Sequence, residues 1–395
     1  MKIAIDAHMI GHQATGNETY MVNLINALSR LDGQDHEYTV YVDRPQARDS
    51  LRPSDGRVKI RLLATHSPVI RAPFLLPAEI WRRGADVVHM QYILPPILPR
   101  CATVLTVHDI SFEHYPSVFK RTELIRDKVL VPYSARRADV VLTVSEFTKA
   151  DLVRRYGIEP EKIVVTASPA APRFRLLDDR SQVDEVRRRY GIDGSFILYV
   201  GNIHPRKNLV RLVEAYAALA AEGKLSHRLV IVGKKAWQHS PVLEAARTCG
   251  VEQRITFTGY VPDEDLCALY NGADLFVFPS IFEGFGSPIL EAMSCGTPVI
   301  TSNTSSMPEV GGDAAAYVDP FKVADLTAAM RTVLDDSDLR ARLSARGLAR
   351  AGQFSWEDTA RKTVQAYDMA LKNRFGPSRV IADGTLADRG EETAS

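Results

Sequence analysis

The chain has 395 residues, of which 45% are hydrophobic and 25% are charged, and its formal net charge at pH 7 is +1. This length predicts two domains, and the near-zero charge gives no argument for nucleic-acid binding. Four scattered cysteines without a C-x-x-C pair indicate reduced thiols, which disfavours a metal cluster or a disulfide framework and favours a cytoplasmic location. No apolar run reaches the ~20 residues of a membrane span. The N-terminal "MKIAIDAHMIG" is typical of a first β-strand and not of a signal peptide.

The first half of the chain alternates short apolar runs with helical patterns. The spacing of apolar residues predicts helices at 20–28, 120–136 and 146–155. Runs of Val, Ile and Leu between helices are typical of a parallel sheet that is covered on both faces. The predicted strands lie at 2–10, 38–42, 58–64, 86–90, 103–109, 139–145 and 162–168.

A polar stretch at 171–194 interrupts this pattern, and the same alternation then restarts. We therefore predict an N-terminal domain at 1–172 and a C-terminal domain at 173–354, each an α/β domain with a doubly wound, Rossmann-like parallel sheet. The second set of strands is predicted at 195–201, 228–233, 254–259, 274–280, 298–302 and 314–318, with helices at 208–222, 262–271, 287–295 and 323–335.

Two further segments follow the second domain. A helix is predicted at 355–373, and we expect it to pack back on the first domain. The tail at 375–395 has no apolar period and is expected to be disordered. Because ligands of such sheets bind beyond the carboxyl ends of the strands, two facing domains predict a site in the cleft between them. The predicted buried stripe of the last helix consists of Trp356, Thr363, Ala366, Tyr367 and Ala370.

The stretch "SIFEGFGSPILEA" carries two glutamates directly after an apolar run. Glu283 stands where the strand ends, and Glu291 lies in the next helix, one position beyond that of a capping box. Gly284 and Gly286 lack a Cβ, so their backbone N–H groups could approach a ligand closely. Ser287 is predicted to be the N-cap of a helix whose start favours anions. A polar ligand is the simplest partner of both carboxylates, and exposure to solvent is the alternative for either one alone.

Three further loops carry candidate site residues. "YVGNIHPRKNL" places Arg206 and Lys207 after a buried strand, where two cations suit a diphosphate, and an exposed basic pair is the alternative. "TVLTVHDISFEHYP" places His108 at a strand end that would face the cleft, although a lone histidine is more often structural. "ATGNETY", a turn that contains Gly16, is a weak phosphate signal because it lacks the full G-x-G-x-x-G pattern.

Together these motifs resemble the retaining glycosyltransferases of the GT-B fold, in particular family four and its bacterial mannosyltransferase-like branch. The resemblance spans nearly the whole folded chain, and its most specific part is Glu283 and Glu291 with seven residues between them. "VGNIHPRKN", "FTGYVPDEDL", "VHD" and "TGNETY" support it. The chain departs from the family at Asn202 and Thr19, where many relatives carry arginine, so the cation role falls more heavily on Arg206 and no acceptor contact is assigned.

The resemblance implies a role for each candidate residue. Glu283 would contact the transferred sugar, Glu291 would hold the ribose hydroxyls, and His108 would lie against the sugar from the first domain. Arg206 and Lys207 would neutralise the leaving diphosphate. The implied catalytic residues are His108, Arg206, Lys207 and Glu283, and the implied donor-binding residues are Gly16, Asn17, Arg206, Lys207, Tyr260, Val261, Glu283, Gly284, Phe285, Gly286, Ser287 and Glu291.

The implied reaction is retaining transfer of a hexose, with mannose from GDP-mannose as the first candidate donor. The acceptor would be a glycan or a polyprenyl-diphosphate-linked saccharide in surface polysaccharide synthesis. No cofactor or metal is implied, because Arg206 and Lys207 supply the charge. Three rival classes stay open: a GT-B-fold phosphorylase, a sugar-nucleotide epimerase and a non-catalytic sugar-binding protein.

The segment "HSPVIRAPFLLPAEIWRRG" (66–84) mixes apolar side chains with Arg71, Arg82 and Arg83. An apolar face with basic flanks suits the boundary between lipid headgroups and acyl chains. We therefore expect a cytoplasmic protein that contacts the inner face of the membrane peripherally, and a helix packed on the first domain is the alternative.

Overall fold

The computed structural model describes residues 1–376 except 13–14, 32–34, 52, 54–55, 64–70, 99 and 234–239. These residues form two sheets in which all paired strands are parallel. The first sheet consists of β1 (Lys2–Asp6), β2 (Glu37–Val42), β3 (Val58–Leu62), β4 (Val87–Gln91), β5 (Ala102–Val107), β6 (Val140–Thr143) and β7 (Ile163–Val165). The second consists of β8 (Phe196–Val200), β9 (Arg228–Val232), β10 (Ile255–Gly259), β11 (Leu275–Phe278), β12 (Val299–Ser302) and β13 (Ala315–Val318).

The order of the strands explains where a site can form. The first sheet has the order β3-β2-β1-β4-β5-β6-β7, and the second has the order β10-β9-β8-β11-β12-β13. In each sheet the chain first winds toward one edge and then returns to the other side of its first strand. This reversal leaves a switch point between β1 and β4 and another between β8 and β11, where ligands of such sheets bind. The predicted strands and the doubly wound α/β class are confirmed.

Most predicted helices are present, with ends that differ by one or two residues from the sequence prediction. The first helix begins earlier than predicted, at Thr15. Six of the α-helices in the described chain were missed because their apolar patterns are short or sparse; they are Ala47–Ser50, Ser111–His114, Arg180–Arg189, Ser240–Thr248, Met307–Gly311 and Ser337–Ala351. The other α-helices are Thr15–Leu28, Leu76–Arg83, Arg121–Arg137, Glu146–Tyr156, Leu209–Ala221, Asp263–Gly272, Ser287–Ser294, Val323–Asp335 and Trp356–Phe375.

The polar stretch at 171–194 is more than a connection. It contains the helix Arg180–Arg189, which buries Val183 and Val186 and packs against Asp263–Gly272 of the second domain. The linker is therefore shorter than the sequence indicated, because two valines one helical turn apart are enough to dock this helix.

The last helix, Trp356–Phe375, lies against the first sheet and against the helix Thr15–Leu28. Its predicted stripe is buried, and the hydroxyl of Tyr367 lies 2.9 Å from Nδ1 of His89, a buried residue of β4. Trp356 donates its indole N–H to the carbonyl of Ala170 at 3.2 Å. The predicted tail lies outside the described residues from 377 onward. Among the helices of the described chain, none combines the length and apolar character needed to cross a bilayer.

Candidate active site

A cleft of about 2000 Å³ lies between the carboxyl edges of the two sheets, and both switch points open into it. The structure brings every residue that the sequence proposed for the site to the wall of this one cleft. These residues are Gly16, Asn17, His108, Arg206, Lys207, Tyr260, Val261, Glu283, Gly284, Phe285, Gly286, Ser287 and Glu291.

Three charged side chains meet at the switch point of the second sheet. Arg206 and Lys207 sit in a 3₁₀ turn that follows β8, and Glu283 follows β11. Oε1 of Glu283 accepts a hydrogen bond from Nζ of Lys207 at 2.5 Å, and Oε2 accepts one from Nη1 of Arg206 at 3.1 Å. Arg206 also donates to the carbonyl of Phe282, which fixes the guanidinium to the same loop.

Arg206 and Lys207 pair with Glu283, and the charge of Asp109, which also lines the cleft, acts on both cations. Burial alone would raise the pKa of Glu283, but the charges of Lys207 and Arg206 outweigh it and lower the pKa to about 2. Two fixed cations beside the ionised Glu283 suit a doubly charged diphosphate. Glu283 is only 6% exposed, so the alternative of a solvated glutamate does not apply to it.

The sequence suggested that Gly284 and Gly286 let the backbone approach a ligand, but the structure gives each glycine a different role. A Cβ on Gly284 would lie 2.1 Å from the carbonyl oxygen of His108, so glycine here admits the backbone of the first domain instead of a ligand. Gly286 has φ +101°, a left-handed conformation that favours glycine. Phe285 between them is buried, and its ring packs against Phe354.

The helix after this loop begins differently from the prediction. Its N-cap is Gly286, and Ser287, predicted to be the cap, is already helical and makes no capping bond. The hydroxyl of Ser287 donates instead to the carbonyl of Ser168 in the first domain at 3.2 Å. Ser287 therefore forms a hydrogen bond between the two domains and does not cap the helix.

Glu291 lies on the same helix and faces the cleft. Its Oε2 accepts a hydrogen bond from the hydroxyl of Tyr270 at 2.9 Å. Burial raises the pKa of Glu291 to about 7, so this carboxyl group becomes a full hydrogen-bond acceptor only as the pH rises above about 7. Tyr260, which is 57% exposed, and the buried Val261 line the cleft after β10.

His108 follows β5 in the first sheet and is buried. Its Nε2 lies 2.8 Å from Oε1 of Gln91, and its ring meets the edge of Tyr20 at 4.9 Å between centroids. Burial lowers the pKa of His108 to about 4, so the imidazole is neutral at pH 7. Gly16 and Asn17 lie in the first turn of the helix Thr15–Leu28 and not in a turn before it, as the sequence suggested.

The sequence reasoning missed a second polar group at the switch point of the first sheet. Asp6 ends β1, is 2% exposed, and pairs with Nη1 of Arg71 and with Nδ1 of His8, both at 3.0 Å. Gln91 ends β4 on the other side of this switch point, and Tyr92 follows it. Polar residues at the ends of "KIAID" and "VVHMQ" were a signal that could have located this group.

The segment 66–84 only partly matches its predicted role. Residues 66–70 lie outside the described chain, and Arg71 is a buried partner of Asp6 and not a basic flank. Leu76 and Ile80 are buried, whereas Phe74 and Trp81 are 66% and 77% exposed. Phe74 lies in the π-helix Arg71–Leu75, and Trp81 lies on the helix Leu76–Arg83 next to Arg82.

The two domains also touch directly beside the cleft. Both carboxylate oxygens of Glu309, in the second domain, accept the backbone N–H groups of Glu146 and Phe147 at 2.8 and 3.1 Å, at the start of a first-domain helix. Ser145 donates its hydroxyl to the carbonyl of Gly284 at 2.6 Å. The ring of Phe282 packs among first-domain aromatic residues, so the loop that carries Glu283 is held from both domains; these residues are His114, Tyr115 and Phe147.

In the described part of the chain, no group of three or more His, Cys, Asp or Glu side chains is arranged to hold a metal ion. The fixed cations near the cleft are therefore arginine and lysine side chains. The second domain thus provides two cations and one ionised carboxylate. The first domain provides the hydrogen-bonded pair of Gln91 and His108, followed directly by Asp109, whose charge acts on both cations.

Two family models match the chain in the two halves that the sheets define. The model described as Glycosyltransferase Family 4 matches residues 14–168, and the model described as Glycosyl transferases group 1 matches residues 182–350. Together they cover both walls of the cleft.

Curated relatives and solved structures agree with this match. The chain is 37% identical over 279 residues to O-antigen chain mannosyltransferase B of Escherichia coli, covering 70% of this chain and 72% of that protein. It is 33% identical to the serotype-specific mannosyltransferase WbdA of Escherichia coli over 64% of this chain, but spans only 31% of the length of that protein. A glycosyltransferase structure from Rickettsia africae ESF-5 superimposes with a TM-score of 0.72 at 19% identity, covering 94% of this chain and 99% of that one, which shows a shared fold.

Proposed function

The chain belongs to the group 1, family 4 glycosyltransferases of the GT-B fold, and we propose that it transfers a hexose with retention of anomeric configuration. The proposed donor is GDP-mannose, and the proposed acceptor is a glycan or a polyprenyl-diphosphate-linked saccharide in surface polysaccharide synthesis. Mannosyltransferase names among the relatives support the sugar, and the O-antigen name supports the process.

The observation that carries this proposal is the pairing of Glu283 with Arg206 and Lys207 at the second switch point. Breaking a sugar–phosphate bond develops negative charge on the phosphate oxygen and positive charge on the sugar. Cations that are already fixed stabilise the first charge without reorganising in the transition state. The carboxylate that fixes them is itself ionised, so it stabilises the second charge when the sugar lies against it.

The proposed reaction takes place on one face of the sugar. The bond between the anomeric carbon and the diphosphate oxygen breaks, an acceptor hydroxyl oxygen bonds to the same carbon, and the leaving diphosphate takes the hydroxyl proton. Neutral His108 would lie against the sugar, and Glu291 would accept hydrogen bonds from the ribose hydroxyls. Arg206 and Lys207 supply the charge that a divalent metal supplies in other transferases, so we propose a metal-independent reaction.

A screen of nucleotide sugars tests the proposal. Donor turnover is measured with and without a mannose-terminated acceptor, and NMR of the product gives the anomeric configuration. We expect GDP-mannose to be consumed with an α-linked product, in excess chelator as well as in Mg²⁺. An inverted product contradicts the retaining mechanism, and activity that is lost in chelator and restored by Mg²⁺ contradicts metal independence.

The same screen separates the rival classes. An epimerase would release a free epimer without any acceptor, a phosphorylase would need phosphate or bound pyridoxal phosphate, and a non-catalytic sugar-binding protein would release no nucleotide. The family membership weighs against all three.

A lipid-linked acceptor would be reached at the membrane surface, and the exposed Phe74 and Trp81 support such a contact. Flotation with anionic liposomes tests this. Phe74→Ser with Trp81→Ser should reduce the bound fraction, because exposed apolar side chains, with Arg82 next to Trp81, anchor the first domain. The exposed Phe321 of the second domain provides the control variant Phe321→Ser. Equal flotation of all variants would show that this segment is not the anchor.

A further inference from the structure

Gln91 ends β4 beside the switch point of the first sheet and lines the cleft, although only 6% of the residue is exposed. Its carboxamide oxygen lies 2.8 Å from Nε2 of His108. A carboxamide oxygen can only accept, so Nε2 of the neutral imidazole carries the proton. Gln91 therefore holds His108 in one tautomer and orientation.

The other end of the same amide is unpaired. The nitrogen of Gln91 is buried and has no hydrogen-bond partner within the described residues. It is one of several buried side-chain atoms in the described chain that lack a partner, and it belongs to a residue that lines the cleft. Because buried donors without partners destabilise the folded state, a donor beside a cleft is well placed to bind a water or a ligand there. In the reverse orientation of the amide the oxygen would be the unpaired atom, so one end of Gln91 lacks a partner in either case.

Backbone strain marks the same position. Within the described chain, three residues other than glycine have positive φ: Tyr92 at 59°, Asn208 at 64° and Ser305 at 53°. Asn208 directly follows Lys207, and the hydroxyl of Ser305 accepts the backbone N–H of Glu283 at 3.0 Å. Such strain is concentrated at functional sites. Two of the three strained residues thus support the charged cluster, and the third directly follows Gln91.

We propose that Gln91 determines sugar specificity by donating its free NH₂ group to a hydroxyl oxygen of a hexose bound in the cleft, while its oxygen keeps His108 in place. An amide beside a neutral imidazole carries no charge, so it favours an uncharged hydroxyl over a phosphate. This inference rests on the proposed function, because it names a part of the substrate that the same cleft binds. The hexose is either the transferred sugar or the end of the acceptor, and the two are separated by experiment.

The test uses two substitutions of Gln91 and one matched control. Gln91→Met keeps the length of the side chain without the amide, and Gln91→Leu is a shorter apolar side chain without the amide. Gln253→Met changes an exposed glutamine in the turn Glu252–Arg254, outside the cleft. For each protein, kcat/KM is measured with the full substrates, with each monodeoxy donor and with each monodeoxy acceptor.

In the wild type and in Gln253→Met, loss of the contacted hydroxyl should lower kcat/KM by about 10- to 100-fold. In both Gln91 variants the same deoxy analogue should cost less than about twofold, because the partner of that hydroxyl is gone. A donor analogue that behaves in this way assigns the contact to the transferred hexose, and an acceptor analogue assigns it to the acceptor. Thermal unfolding shows whether each variant is folded. If one Gln91 variant does not fold, the deoxy-analogue penalties of the other variant test the proposal.

Equal penalties for every deoxy analogue in the wild type and in the Gln91 variants would overturn the inference while leaving the proposed function intact. A wild type that transfers sugar from no nucleotide sugar would overturn the proposed function and this inference with it. The two failures are therefore distinguishable in one set of measurements.

Discussion

The two switch points face one cleft with different chemistry. At the second, Arg206 and Lys207 pair with the ionised Glu283, and the charge of Asp109 also acts on both cations. At the first, the buried Asp6 is matched by Arg71, and Gln91 offers only neutral groups. The same sheet architecture, used twice, thus provides one wall suited to an anion and one suited to hydroxyl groups. The two sets of strands are alike, and the difference between the walls comes from the polar residues at the ends of the strands.

The largest effect is expected on the charged wall. Lys207→Met or Arg206→Ala should lower kcat by about 10²–10³-fold, because each removes a fixed donor from the developing phosphate charge. Steady-state kinetics with the donor measures it. Unimpaired transfer in both variants would contradict the proposal that the wall with Arg206 and Lys207 stabilises the leaving phosphate.

A second measurement separates catalysis from stability on the same wall. Glu283→Gln leaves the two mostly buried cations Arg206 and Lys207 without the carboxylate that pairs them, so the unfolding midpoint should fall. The double variant Lys207→Met, Glu283→Gln removes one of these two cations and should recover part of that midpoint without recovering turnover. Recovery of turnover together with stability would mean that the cluster acts only as a structural ion pair.

The next effect concerns Glu283 alone. Glu283→Gln conserves size and should lower kcat by about 10- to 100-fold with little change in nucleoside diphosphate affinity, since the carboxylate acts on the reacting sugar. Isothermal titration with the nucleoside diphosphate, beside kinetics, checks this. A large loss of nucleotide affinity would place Glu283 against the nucleotide and not the sugar.

Glu291 should affect binding more than turnover. Glu291→Gln should raise the donor KM about tenfold, because the ribose does not change during transfer. The pKa of Glu291 is raised to about 7, so its carboxylate is protonated as the pH falls through 7. Between pH 8 and pH 6 the Kd of the nucleoside diphosphate should rise about tenfold in the wild type. Glu291→Gln serves as the reference for titration of the nucleotide itself, and equal pH dependence in both proteins would exclude this role.

The smallest effect is expected where the walls meet. Glu309→Gln keeps the size of the side chain but removes one of the two bonds to the start of the helix Glu146–Tyr156, because an amide NH₂ group cannot accept a backbone N–H. The remaining bond is weakened because the carboxylate charge at the helix N-terminus is gone. We expect the donor KM to rise about two- to fivefold with kcat nearly unchanged. Small-angle scattering with and without nucleotide reports domain closure. An unchanged KM would show that the cleft forms without this bond.

Much of the fold could be predicted because the strands are buried on both faces and read as continuous apolar runs. The site residues could be located because they follow those runs, as Glu283 follows "LFVF". The helix Ser337–Ala351 could not, since its buried residues are only Leu343 and Gly347. The lesson is that periodicity finds elements with a wide apolar face and misses those that bury one or two residues.

The partners of the site residues were beyond sequence reasoning. Lys207 and Glu283 are 76 positions apart, and nothing local indicates that they pair. The bond between Gln91 and His108 joins neighbouring strands at their ends, so it depends on the order β4-β5. Gly284 is required because the two domains approach each other closely at this position. The sequence pattern of a single domain gives no information on that distance.

Glycine at 284 allows the two domains to approach each other closely. With alanine at this position, the new methyl carbon would stand 2.1 Å from the carbonyl oxygen of His108, so the domains would have to part by about 1 Å at this point. Because Gly284 adjoins Glu283, this movement would also shift the charged cluster away from His108. The close fit between the two domains therefore depends on the absence of a Cβ atom at Gly284.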